Sequence, residues 1–178
     1  LNVMDARMHV LLIDGYPRWE FRYLRNELIR EKTVDVSTLL LSADDDFAQE
    51  GNTPITRFPD TAEELRHYDV LLIGDVPPQY FSPRQMKLIV DFVKNDGGGI
   101  GWIAGPRFDP NAYRGTPLEV LLPIIPDDAN APTLAPADNA PFNPVMTAAG
   151  RASTLFRFFD KPQENVQQMA DNPPLYWY

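Results

Sequence analysis

Four short apolar runs, separated by longer stretches of mixed character, constrain this chain more than any other feature. They are "MHVLLID" (Met8–Asp14), "VDVSTLLLS" (Val34–Ser42), "YDVLLIGDV" (Tyr68–Val76) and "GIGWIAG" (Gly99–Gly105). Runs this short, nearly continuous and bounded by turn residues suit strands covered on both faces. The stretches between them carry helix signals. "PRWEFRYLRNELIREK" (Pro17–Lys32) puts Pro17 at the first helical position and Glu20 in the first turn, with Phe21, Leu24, Leu28 and Ile29 on one face. "DTAEELRHY" opens with a capping pattern, Asp60 or Thr61 followed by Glu63 and Glu64. "SPRQMKLIVDFVKNDGG" has Ser82 as cap, Pro83 next, an apolar face of Met86, Ile89, Val90 and Val93, and glycines at its end. "ADDDFAQEGN", after the second strand, is a polar loop without calcium-loop spacing.

Strand–helix alternation with buried strands predicts an α/β fold: a doubly wound, mostly parallel sheet with helices on both faces, flavodoxin-like in arrangement. The character changes after Gly105. "TPLEVLLPI" makes a turn or two of helix, and residues 123–144 are a Pro-, Ala- and Asp-rich excursion. "STLFRFF" (Ser153–Phe159) reads as a last strand and "PQENVQQMA" as a short helix opened by Pro162. The expectation is one domain over residues 1–178, and the Leu1 start and aromatic "PPLYWY" end suit a fragment of a larger protein.

Composition removes several function classes. The 178 residues carry 25 acidic and 16 basic side chains, a net charge of −9, so nucleic acid is not an expected partner. There is no cysteine, hence no thiolate zinc site, no redox pair and no cysteine nucleophile. His9 and His67 are the only histidines, too few for a histidine-rich metal site. No apolar run reaches the roughly 18 residues of a membrane helix, so no direct membrane insertion is expected of these residues. The first residues do not read as a signal peptide, and the compartment stays open.

In a doubly wound sheet, ligands bind at the carboxyl ends of the strands. Those ends bring forward Asp14, Arg18, Glu20, Asp75 and Arg107 as the candidate cleft, with Tyr16, Trp19 and Phe108 as aromatic walls. Two uses are open to them. Arg18 or Arg107 can grip an anion bidentately, or the aspartates can cap helices while the arginines pair with them. Gly99, Gly101 and Ala104 loosely trace a dinucleotide fingerprint, but they open a strand instead of a helix, so no nucleotide cofactor is expected. Both histidines fall at the opposite end of the sheet, where neither can serve a nucleophile beside Ile103.

"VLLIDGYPRWEFRYLRNEL", "YDVLLIGDV" and "FVKNDGGGIGWIAGPR" together resemble the class I glutamine amidotransferase-like superfamily. The likeness is greatest to its degenerate branch in large, membrane-anchored bacterial proteins that also carry von Willebrand factor A domains. It runs over essentially the whole chain, "PLEVLLPI" and "NPPLYWY" included. The resemblance implies an amidotransferase-like fold in a soluble part of an envelope-associated parent. Active members carry Gly-x-Cys-x-Gly at the nucleophile turn and a downstream His-x-Glu. Here Gly101, Ile103 and Gly105 match the turn, with Ile103 in place of the cysteine, and no histidine follows His67. The implied function is a non-catalytic module that binds a protein partner or other domains of its parent chain. A receptor for a small anionic ligand and a carboxylate- or metal-dependent hydrolase are the alternatives; no cofactor is expected.

Overall fold

A computed structural model describes residues 7–44, 48–125 and 141–174. Four strands form one parallel sheet: β1 (Met8–Asp14), β2 (Val34–Leu40), β3 (Val70–Ile73) and β4 (Gly99–Trp102), in the order β2-β1-β3-β4. Met8 pairs with Val34, Val10 with Val70, and Val70 with Gly99. The fold is therefore α/β, doubly wound and flavodoxin-like, as the alternation of runs predicts.

Helices α1 (Trp19–Arg30), α2 (Ala62–Leu65) and α3 (Pro83–Lys94) supply the two outer layers. The period-two alternation of β1 divides the core between them. Val10 and Leu12 join Phe21 and Val36 in one cluster, with Leu24, Leu28 and Ile29 of α1 packed against it. Leu11 and Ile13 join Met86, Ile89 and Phe92 of α3 in the other, together with Leu65 of α2. The apolar faces read from the sequence are thus the faces that are buried, with Phe92 added to that of α3.

Local signals set most helix starts. Ser82 and Gln85 form a reciprocal capping box, with Pro83 in the first helical position. The Thr61 side chain accepts from Glu64 N–H, so Thr61 and not Asp60 caps α2. Helix α1 begins two residues later than its proline suggests, with Arg18 as N-cap and no side-chain cap bond. The Arg18 side chain is engaged elsewhere. β3 and β4 are shorter than their apolar runs, because Gly74–Val76 and Ile103–Gly105 leave the ladder to build the strand-end turns.

Residues 48–53 run along the free edge of β2. Gly51 bridges Ser37, Asn52 N–H donates to the Val36 carbonyl at 2.8 Å, and the Gln49 amide both accepts from Leu40 N–H and donates to its carbonyl. Side-chain amide and backbone together occupy ladder groups that an edge strand leaves open.

The chain divides into two compact units, residues 1–129 and 130–178. The sheet and α1–α3 lie in the first, followed by 3-10 turns at Asn111–Tyr113 and Pro117–Leu121. The second holds α4 (Ala148–Ala152), a 3-10 turn at Thr154–Phe156 and α5 (Pro162–Asp171). Its "STLFRFF" segment is not a strand, contrary to its β-rich composition. The Ser153 hydroxyl takes Leu155 N–H, and the Asn165 carbonyl oxygen takes Phe158 and Phe159 N–H, each at 2.7 Å. Local side chains satisfy the backbone that a neighbouring strand would otherwise pair. Most of the 123–144 excursion, and the last four residues, lie outside the described residues. No helix among the described residues is long and apolar enough to cross a membrane.

Candidate functional site at the strand ends

The chain leaves β1 for β2 on one side and returns to β3 on the other, so strand order reverses between β1 and β3. At that reversal the structure brings together Asp14, Arg18 and Asp75. Asp14 and Asp75 are both 0% exposed. Arg18 Nε donates to Asp14 Oδ2 at 2.8 Å, and its two terminal nitrogens donate to the Ala104 and Ile103 carbonyls at 2.7 and 2.6 Å. Each of the three guanidinium nitrogens thus donates to the protein itself, joining the ends of β1 and β4.

Asp75 is the second fastener. Its Oδ1 accepts from Phe108 and Asp109 N–H at 2.6 and 3.0 Å, and its Oδ2 from Arg107 N–H at 2.9 Å and the Tyr16 hydroxyl at 3.1 Å. Three consecutive amides wrapped on one carboxylate fold the loop after β4 back over the end of β3. Burial pushes Asp75 upward, but the N–H groups of Asp109, Arg107 and Phe108, with Tyr16, outweigh it and hold the carboxyl below its ordinary value. At Asp14 the balance is opposite: burial raises the carboxyl even against the Arg18 guanidinium.

The glycines at these ends are matters of clearance. A Cβ on Gly105 would fall on the Asp75 carboxyl group, and one on Gly74 would fall on the Asp14 carboxylate and within 2.9 Å of an Arg18 nitrogen. Gly105 ends the Gly101-to-Gly105 turn because an internal carboxylate lies against it. Gly101 is a residue of β4, and Ile103 packs its side chain against the α1-side cluster. The position that resembles a nucleophile turn is filled by core and by an arginine clamp.

Two candidates stand apart. Glu20 is exposed in the first turn of α1. Arg107 is also exposed, with its guanidinium 4.0 Å from the centre of the Tyr16 ring; the loop's backbone joins the cluster and its side chain does not. Trp102 is structural, donating to the Leu121 carbonyl at 3.1 Å and meeting Tyr113 edge-on. His9 lies at the amino end of β1 beside Asp69, and His67 follows α2, so neither approaches Ile103.

Sequence reasoning misses Asp109. It is 2% exposed, and neither carboxyl oxygen has a hydrogen-bond partner. Burial, then the charge of Asp75, pushes its carboxyl up to about 7. Tyr113, wholly buried, donates to the Val76 carbonyl at 2.9 Å and is raised by burial and then by the charges of Asp109 and Asp75. The available signal was the "FDP" turn, but Asp-Pro reads as a loop start and gives no hint that the acid points inward.

The cluster therefore holds three buried acids and one arginine; Asp14, Asp75 and Arg18 fasten the strand ends and loops, and the Asp109 carboxyl is buried beside them without a hydrogen-bond partner. Among the described residues, no group of three or more His, Cys, Asp or Glu side chains is placed to hold a metal ion. A cavity of about 230 Å³ lies in the second unit, lined by Arg151, Phe156, Arg157 and Phe159 among others, and includes none of the residues nominated from sequence. No family model, curated protein or solved structure matches the chain.

Proposed function

We propose that this chain is a non-catalytic glutamine amidotransferase-like domain acting as a binding or protein-interaction module of a larger bacterial envelope-associated protein. The amidotransferase likeness and the envelope setting rest on the sequence resemblance. The lack of catalysis rests on the fate of position 103. Ile103 offers no nucleophile, its side chain packs with the core, and its carbonyl is held at 2.6 Å by Arg18. A glutaminase needs a nucleophile, a base within hydrogen-bond reach and open donors for the oxyanion. Here Asp14, Arg18 and Asp75 have their polar groups committed to neighbours inside the protein, and Asp109 beside them is buried.

The test is ammonia release from glutamine by the purified protein, with Asp75→Asn and Arg107→Ala beside it. The expected rate is that of buffer alone. Turnover that accompanies the protein and disappears in either variant would overturn the reading. The exposed Arg107 guanidinium favours a second reading, a receptor for a small anion. Saturable binding of inorganic phosphate or a small carboxylate, lost in Arg107→Ala, would promote it.

A further inference from the structure

Helix α1 buries Phe21, Leu24, Leu28 and Ile29 against the sheet, and its outer face belongs to water. Yet Trp19 and Tyr23 stand there, 64% and 63% exposed, with their rings stacked at 5.7 Å. Rings of this kind cover on the order of 150–250 Å² each when fully buried, so at this exposure the stacked pair leaves a contiguous aromatic surface of roughly 200–300 Å². The Arg22 guanidinium lies 5.6 Å from the Trp19 ring centre. Arg107 over Tyr16 is a second pair of the same construction.

Both arginines are exposed, and neither has an ion pair among the described residues. On the same helix Arg25 and Arg30 do, with Glu50 and Glu27. A guanidinium resting on a ring is held in place without using its N–H fork, which stays available for a bidentate carboxylate. Tyr16 and Trp19 lie three residues apart at the turn into α1, and that turn with the loop holding Arg107 forms the rim. Tyr16 lies between β1 and α1, Trp19 opens α1, and Arg107 follows β4. Arg18 reaches from the α1 N-cap to the Ile103 and Ala104 carbonyls and so fixes the helix start beside that loop. Glu20 is the one acid in the first turn of α1.

We propose that this rim docks an acidic segment of a partner protein, with carboxylates on Arg22 and Arg107 and apolar atoms on Trp19 and Tyr23. The inference rests on the module reading and names its partner chemistry. At a net charge of −9, the remainder of the surface disfavours such a segment, which confines it to the cationic rim.

The test is fluorescence anisotropy of a labelled Glu-Pro repeat peptide, with a Gln-Pro repeat of equal length as control and inorganic phosphate as competitor. The acidic peptide should saturate the protein and the neutral one bind at least about tenfold more weakly. Arg22→Ala and Trp19→Ala should each cost roughly tenfold with unchanged circular dichroism, since both side chains are exposed. Equal binding of the two peptides, no saturation, or indifference to Arg22→Ala overturns the proposal. Displacement of the peptide by phosphate at similar concentration assigns the rim to a small anion instead. A dimer in sedimentation that Trp19→Ala dissociates assigns it to a second copy of the chain. Ammonia release would sink the module reading itself, whereas a silent peptide without ammonia release removes only this partner.

Discussion

Replacing Asp109 with asparagine removes one titration and leaves the shape of the side chain. In the folded protein this carboxyl is buried, has no partner for either oxygen, and titrates near 7 in place of its ordinary 3.8. The unfolded chain therefore gives up the proton first. Below about pH 4 both states are protonated and the acid form's stability is fully present. As pH rises toward 7, the folded state alone still holds the proton, and stability falls by about 1.4 kcal/mol per pH unit. Over the interval from 3.8 to about 7 the loss sums to about 4 kcal/mol. Asp14 adds a slope of the same sign, and Asp75 one of opposite sign, so the informative quantity is wild type minus variant. Urea unfolding followed by far-ultraviolet circular dichroism, from pH 4 to 8, supplies it. The buried amide of the variant carries a constant cost that cancels from the slope. The Asp109→Asn variant should lose about 4 kcal/mol less than wild type across that range. Parallel curves would refute the reasoning, because they would mean that Asp109 titrates at its ordinary value and is open to water or a partner.

Two further substitutions test the fastening of the strand ends. Arg18→Ala leaves the Asp14 carboxyl buried without its guanidinium partner, and strips the Ile103 and Ala104 carbonyls of their donor. The expected cost is about 3–5 kcal/mol, read as a fall of roughly 10 °C in Tm; a shift under about 2 °C would show the pair to be dispensable. Gly105→Ala forces a methyl group onto the Asp75 carboxyl, at a cost of about 1–3 kcal/mol or more. It should speed hydrogen exchange at the amides of Arg107, Phe108 and Asp109, and unchanged protection there would refute the account of Gly105 as a clearance residue.

The sheet was legible because strands buried on both faces leave short continuous apolar runs, whereas amphipathic helices leave an apolar stripe of three-to-four-residue spacing. The short, nearly continuous apolar runs marked all four strands, and the helix spacing marked the buried faces of α1 and α3. Strand lengths were less legible, since Val76, Ile103 and Ala104 continue the apolar character of the strands they follow but lie in turns held by Asp14, Asp75 and Arg18. Of the five cleft candidates, Asp14, Arg18 and Asp75 meet, as strand-end position alone suggests. Glu20 does not, because it precedes Phe21 of the buried face by one residue, and that step of about 100° around the helix turns it out to solvent. Asp109 escaped notice because its burial depends on where a loop closes, which no local pattern records. The Ser153–Phe159 strand failed for a related reason: propensity favours extension, but Asn165, six residues beyond Phe159, captures the amides first.

The segment over β2 also gives the sheet a direction of growth. On that side Gln49, Gly51 and Asn52 already hold backbone groups that a newcomer would need. On the other side β4 pairs with β3 alone among the described elements, and it is four residues long with two glycines. An added strand therefore meets one barred edge and one short, weakly attractive edge. Any extension of this sheet proceeds from β4 outward, and the β2 flank remains a wall.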